Sequence, residues 1–352
     1  MQHIIDQLAK TIRDAVARKA PLRIRGGGTK DFYGGELQGE VLGTTAYSGI
    51  VDYEPTELVL TARAGTPLME IEMLLHGHGQ MLAFEPPRFG AASTLGGCIA
   101  AGLSGPRRPY AGSARDHVLG VRVLDGNGTD LKFGGQVMKN VAGYDVSRLM
   151  VGALGTLGVL LEISLKVLPA PASDLTLRQA RPQAAAIDLM NVWAGKPYPI
   201  SGTCHTAEAL YVRLSGAQSA VRAARARLGG DEVTDGEAFW RGIRDQTHAF
   251  FRSDEALWRA SLKSTAARIA PGSAELVEWG GALRWIAGTV DPAMLREAAA
   301  RANGHATLFR GGDRSAGVFH PLADPLMKLH TRLKATFDPH RILNRGRLYP
   351  GF

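Results

Sequence analysis

The run Arg25, Gly26, Gly27, Gly28, Thr29, Lys30 constrains this chain more than any other stretch. With three side chains missing in a row, the backbone can adopt conformations closed to other residues and can be approached closely by another group. Consecutive glycines also turn several N–H groups toward one point, a concave nest for an anion, and Lys30 adds a positive charge beside it. A phosphate or pyrophosphate is the natural guest; a plain glycine turn is the competing reading. Two familiar phosphate loops are excluded, because the final glycine of GxGxxG is missing here and GxxxxGK[ST] occurs nowhere.

Around this loop helices and strands mix. Ile5, Leu8, Ile12 and Val16 stand at helical spacing. PLRIRG, VLGTTAYSGIVDYEP and LVLTARAG read as strands. TPLMEIEMLLHGHG reads as a helix capped by Thr66, with Pro67 and Glu70 in its first turn and His76 and His78 capping its end. HVLGVRVLDGNGTDLKFGG is a hairpin turning at Asp125, Gly126, Asn127 and Gly128, and VGALGTLGVLLEISLKVLP a glycine turn followed by a strand. Pro169 and Pro171 mark a boundary.

Beyond it the strands ALYVRLSG, ALWRASLKS, GGALRWIAGTV and HATLFRGG interleave with the helices AQSAVRAARARLGG, GEAFWRGIRDQTHAFF and DPAMLREAAARANG. Trp279 and Trp285 read as strand residues of the core or a cap. A last helix runs into a tail rich in proline and glycine. The order is α+β and not a run of βαβ units. It divides into residues 1–170, a second unit over 171–320 on an antiparallel sheet, and a tail, 321–352, returning to the first.

A second cluster narrows the chemistry. EPPRFGAASTLGGCIAAGLSGPRRPYAGSARDHVLG, residues 85 to 120, alternates small residues and hydroxyls with glycines. Thr94, Gly96 and Gly97 would set a hydroxyl and bare amides along one edge of a ligand, and Ser113 lies in a second tight turn. With RGGGT, a PxxxGxxxTLGG pattern, GSxRDxVLG and GTLGV, all in order within about 140 residues, the chain resembles the flavin-binding domain of the vanillyl-alcohol-oxidase family, also called the p-cresol-methylhydroxylase (PCMH) type. The resemblance implies FAD. It places the pyrophosphate on Arg25, Gly26, Gly27, Gly28, Thr29 and Lys30. The ribityl chain and ring would lie along Pro87, Gly90, Ser93, Thr94, Gly96 and Gly97, with Ser113, Arg115 and Asp116 nearby. Gly158 and Val159 would approach the adenine end.

MKNVAGYDVSRLM, GLSGPRRPYAGSARD, HATLFRGG and the FDPxxILN tail are similar, more narrowly, to the E subunits of bacterial three-component glycolate oxidases. That resemblance implies a two-part PCMH-type FAD domain with a smaller antiparallel α/β cap and electron transfer from a small 2-hydroxyacid. It also implies two partners, a flavoprotein D subunit and an iron–sulfur F subunit, in the cytoplasm or peripheral on the inner face of the cell membrane. Self-sufficient D-lactate-type dehydrogenases and non-catalytic flavin scaffolds are the other readings of the same pattern.

The departures are informative. Many relatives carry a histidine after the glycines for covalent attachment; Thr29 stands here, so FAD is expected to be held non-covalently. HATLFRGGDRSAGVFH does not reproduce the HxGDGNxH motif of related dehydrogenases, so no metal is expected on His305 and His320. Gly152, Ala153, Leu154 and Gly155 replace a GSEG turn, and Asn344, Arg345 and Gly346 an NPG. Arg107, Arg108 and Tyr110 beside the expected flavin wall are candidates for a substrate carboxylate, through the paired hydrogen bonds of a guanidinium, or for docking a partner. Arg115 and Asp116 read as a structural ion pair or a flavin contact.

Composition closes off other classes. The chain has 352 residues, 45% hydrophobic, enough for two cores. Its excess of 41 basic over 33 acidic residues is dispersed and aromatics are only 7%, which argues against a nucleic-acid surface. Two cysteines, Cys98 and Cys204, make no disulfide framework, and Cys98 reads as a buried packing residue. The start reads as lacking a signal peptide, and LMVGALGTLGVLL is too short and glycine-broken to cross a bilayer.

Overall fold

A computed structural model describes residues 1–135, 145–207 and 209–352; most of the quoted MKNVAGYDV motif, residues 138–144, lies outside the described residues. The architecture is α+β, built on two antiparallel sheets. The first has five strands in the order Ile50–Glu54, Val59–Arg63, Val159–Lys166, Val118–Leu124, Asp130–Gly134. Its edge hairpin turns where expected, with the Asp125 carboxylate accepting from the amides of Asn127 and Thr129 at 2.8 Å each. The helices Leu68–Gly77 and Leu95–Ala101 cover this sheet through Leu68, Ile71, Leu75, Leu95, Cys98 and Ile99, all buried.

The first helix, Gln2–Arg18, buries Ile5, Leu8 and Ile12 against Leu22, Leu42, Leu161 and Leu343. There a small parallel pair, Leu22–Arg25 with Glu40–Gly43, is joined by the C-terminal tail through Leu22 and Leu343. The tail is pinned by a buried ion pair. Lys334 Nζ donates to Asp338 and to the Thr156 carbonyl at 2.7 Å each and to the Leu343 carbonyl at 2.9 Å.

The second sheet has eight strands, all paired antiparallel, in the order Asp231–Glu232, Ser173–Ala180, Ala209–Gly216, Ile200–Thr206, Ala274–Glu278, Leu283–Ala287, Leu257–Ser261, His305–Arg310. The helices Gln183–Ala194 and Gln218–Leu228 pack with one half of it. Pro292–Arg301, capped by the Asp291 carboxylate, packs with the other. A further cluster joins Cys204, Trp240, Trp279, Trp285 and Phe309 to Tyr33, Ala101, Leu103 and Leu154 of the first part. The two parts therefore share one continuous apolar contact.

Several local expectations are corrected. Thr66 does not cap its helix: its hydroxyl exchanges hydrogen bonds with the Gly49 backbone, and Pro67 occupies the cap position with no side-chain bond. The stretch VLGTTAYSGIVDYEP is two strands, not one, because a turn at Thr44 to Tyr47 breaks it. The helix GEAFWRGIR ends at Arg244, where the C=O groups of its last turn begin to be met by a tight turn. Trp279 is not on a strand; it sits in a short 3-10 turn with φ of 54°.

Burial of the Cys98 thiol pushes its pKa up to about 12, and Cys204 is likewise buried and raised. Both thiols are therefore expected to stay inert to a thiol-specific chromogenic reagent in the native protein and to react together in denaturant. Rapid native labelling of either would contradict this packing.

Candidate functional site

The glycine loop leaves the strand Leu22–Arg25 and lines an open cleft. Gly28 has φ of 72°, in the left-handed region where a side chain is strained. Gly27 answers to a different demand: a Cβ there would fall on the Ala92 carbonyl, and one at Gly26 on the Thr94 hydroxyl. The two loops foreseen as one ligand's walls are thus packed backbone to backbone.

In the hydrogen bonding among the described residues, the amides of Gly26, Gly27, Gly28, Thr29 and Lys30 donate to nothing. These residues are half-buried, and a row of open amides converging along a cleft is a site for an anion. Lys30 stands beside it with no carboxylate in ion-pair range among the described residues; Nζ donates to Ser93 Oγ at 3.0 Å and to the Arg88 carbonyl at 3.3 Å. Burial holds the Lys30 pKa below its ordinary value. Arg25 is instead committed within the chain, its Nε donating to Asp31 at 2.9 Å.

The second loop contributes shape more than donors. Thr94 caps the helix Leu95–Ala101, its hydroxyl accepting from Gly97 at 3.3 Å, while the Gly96 amide donates to the Ala64 carbonyl at 2.7 Å. The expected bare amides at Gly96 and Gly97 are therefore already used, which corrects that part of the sequence reading. Both glycines still line the cleft with Thr94, as does Gly158. Val159 does not; it is fully buried under the first helix.

Sequence reasoning missed the closing wall. Leu154 and Gly155, in a left-handed turn, line the cleft together with Asn344 and Arg347 of the tail. Asn344 clamps that wall, Oδ1 accepting from Ile24 at 2.7 Å and Nδ2 donating to Leu154 at 2.6 Å. Burial lowers the Arg347 pKa to about 10, and its guanidinium is spent on carbonyls of the first part, those of Tyr33 and Gly35 included.

The remaining expected residues lie outside this cleft. Ser93 touches Lys30. Ser113 and Asp116 form a capping box, the Asp116 carboxylate accepting from the Ser113 amide and hydroxyl at 2.8 Å each, and Arg115 is exposed beside them. Gly90 borders a neighbouring groove with Thr29 and Phe89, and Pro87 a separate pocket. Arg107 is buried on Glu85, which accepts its amide at 2.8 Å and its Nε at 3.4 Å. Arg108 stacks over Trp279 at 4.4 Å, and Tyr110 is 40% exposed.

The pocket at Pro87 lies between the two parts. Leu103, Ser104, Gly105 and Pro106, which continue the cleft-lining helix, form one side; Arg259, Glu278, Trp285 and Phe309 of the eight-stranded sheet form the other. Neither charged residue was singled out from the sequence, although each sits among apolar neighbours in ALWRAS and ELVEWGG. Burial pushes the Glu278 carboxyl up to about 7, against the opposing hydrogen bond from Trp285 Nε1 at 2.7 Å and the charge of Arg259. The folded protein therefore holds this proton more tightly than the unfolded chain, whose value is 4.5. The associated stability is complete below pH 4.5 and is lost as pH rises toward 7. Glu278→Gln is expected to remove this loss, about 3 kcal/mol between pH 5 and pH 8. Denaturant melts of both proteins at the two pH values check it; parallel pH dependence would contradict it.

Open amides on one wall, small residues on the other and a tail closing the third make this an FAD-binding flavoprotein domain, and residues 3–134 match the family described as FAD binding domain. The fold is that of p-cresol methylhydroxylase, whose structure with substrate bound covers 97% of this chain and 87% of its own at a TM-score of 0.73 and 15% identity. More specifically, glycolate oxidase subunit GlcE of Escherichia coli strain K12 is 48% identical over 97% of this chain and 96% of its own. Glycolate oxidase subunit GlcD of Bacillus subtilis strain 168 is 31% identical over 49% of this chain and 37% of its own. The chain belongs to the GlcE family of glycolate oxidase subunits.

Proposed function

We propose that this chain is the FAD-binding subunit of a glycolate-oxidising complex and accepts or relays the electrons withdrawn from the hydroxyacid. The observation that carries the reading is the row of open amides from Gly26 to Lys30 at the mouth of a glycine-lined cleft, in a chain 48% identical to a GlcE subunit. Those amides and Lys30 hold the diphosphate, with Ser93 positioning the ammonium. Thr94, Gly96, Gly97, Gly155 and Gly158 leave room along the rest of the nucleotide. FAD, when bound, supplies hydride and single-electron chemistry, and the chain supplies binding, orientation and exclusion of water. Attachment is non-covalent: Thr29 stands where an attaching histidine would be, and no histidine or cysteine lines the cleft among the described residues.

In this reading residues 1–170 with the tail 321–352 form the FAD unit and residues 171–320 the cap. The partners are a GlcD-type flavoprotein and an iron–sulfur subunit, in the cytoplasm or against the inner face of the membrane. No helix among the described residues is long and apolar enough to cross one. Anaerobic mixing of the FAD-loaded chain with glycolate, alone and with the D subunit, tests the role. Bleaching of this chain's flavin once the D subunit is present is the expected result. Bleaching by D-lactate with no partner would move the assignment to a self-sufficient dehydrogenase, and a flavin never reduced under either condition to a scaffold.

A further inference from the structure

The interface between the two parts holds two arginines with unspent charge, Arg108 of the first part and Arg259 of the eight-stranded sheet. Arg259 lies 5.1 Å from the Trp279 ring and Arg108 4.4 Å from the same ring. Among the described residues neither guanidinium has a carboxylate within ion-pair range or donates a side-chain hydrogen bond, whereas neighbouring Arg107 and Arg213 are both taken up by Glu85. Two like charges against one indole repel each other, an arrangement that an anion would relieve. Arg259 also lines the small pocket at Pro87, less than half the volume of the nucleotide cleft.

Trp279 is fixed for this role from both parts. Its indole donates to the Gly105 carbonyl at 3.0 Å, tying it to the loop that continues the cleft-lining helix. Its backbone has φ of 54°, a costly region for a bulky residue and one often kept at functional sites. The Glu278 carboxylate that could have paired with Arg259 turns to Trp285 instead. Phe89, Leu103 and Phe309 supply the apolar part of the pocket wall and Ser104, Arg244, Gln246 and Glu278 the polar part. Arg244 is paired with Asp245, which leaves Arg259 as the guanidinium open to a small anion.

We propose that Arg259 binds the carboxylate of a small hydroxy monocarboxylate in this interdomain pocket, with Arg108, outside the pocket lining on the same indole, adding its positive charge. The assignment rests on the functional reading above, which it sharpens: the chain would contact the acid itself and not only pass its electrons. A guanidinium presents two parallel donors to a carboxylate, the geometry that makes such pairs strong. The pocket's small size selects a short acid.

The test is calorimetric titration of the FAD-loaded full chain with glycolate under anaerobic conditions and with oxalate as a non-oxidised probe. The native protein is expected to bind one equivalent. Arg259→Met is expected to weaken binding by about ten- to hundredfold, the loss of charge-assisted hydrogen bonds, with Arg259→Lys in between. Arg108→Met, a change at a surface position, should weaken it by a smaller factor and keeps the test decisive if the Arg259 variants fold poorly. Native protein that takes up neither acid, or Arg108 and Arg259 variants that bind as the native protein does, would overturn the proposal. FAD content is measured on the same samples. Retained FAD without acid binding refutes this pocket alone; absence of FAD from native protein refutes the functional reading, and acid uptake by that protein would still uphold the pocket.

Discussion

Gly27→Ala is expected to leave the protein without bound FAD after gel filtration. The added Cβ would overlap the Ala92 carbonyl carbon and oxygen, which are backbone and cannot turn aside. The glycine loop would have to lift from the loop preceding Thr94, and the open amides from Gly26 to Lys30 would no longer converge. Overpacking alone costs about 1–3 kcal/mol. Here it falls on the groups that hold the ligand, so affinity for FAD should drop by at least about a hundredfold. At Gly26 the obstacle is the Thr94 hydroxyl, a side-chain end that can shift, so that variant should lose less. Gly43→Ala is the control, because nothing lies within 4 Å of its Cβ position and its φ is not in the left-handed region. Titration of apoprotein with FAD, followed by flavin fluorescence, gives the affinities. Gly27→Ala protein that binds FAD as tightly as Gly43→Ala would refute the loop-on-loop geometry.

Glu85→Ala is expected to be the most destabilising single charge removal at the interface. Glu85 belongs to the first part, and its carboxylate gathers Arg107 from the same part and Arg213 from the strand Ala209–Gly216 of the eight-stranded sheet. The Arg213 contacts are 2.8 and 2.9 Å, and both arginines are under 10% exposed. Burial alone would raise the carboxyl, but the two guanidinium groups outweigh it and hold it below its ordinary range. Its stability contribution is therefore present at neutral pH and disappears as pH falls through that lowered value. Removing the carboxylate leaves buried Arg213 with no ion pair among the described residues and Arg107 with only Asp174 at 3.8 Å, which costs about 3–5 kcal/mol. Thermal melts at pH 7 should show a large drop. Glu40→Ala, which breaks the exposed pair with Arg18, should show little measurable change. A Glu85→Ala melt matching that control would mean that the two parts are not joined here.

Much of the first part was legible because its determinants are local. Glycine requirements, hairpin chemistry at Asp125 and the apolar spacing of the first helix each act within a few residues. Thr66 failed for a physical reason, since a hydroxyl that can cap a helix can equally bond a neighbouring loop, and Gly49 competes for it successfully. Gly96 and Gly97 of the second loop line the cleft while Gly90 does not, and the amides of the first two are satisfied by Ala64 and Thr94, which only three-dimensional packing decides. Asn344 was out of reach because its partners Ile24 and Leu154 lie 320 and 190 residues away. Arg259 and Glu278 left a readable trace, a charge inside an apolar strand, yet which charges stay unpaired depends on neighbours that no local window contains.

The account depends on FAD being held, without a covalent bond, by the amides that follow Arg25. Acid precipitation of natively purified protein, with FAD quantified in supernatant and pellet, measures that directly. The prediction is a yellow protein that releases close to one FAD per chain into the supernatant. Flavin retained in the precipitate would contradict the non-covalent site, and colourless protein that takes up no added FAD would contradict the site itself.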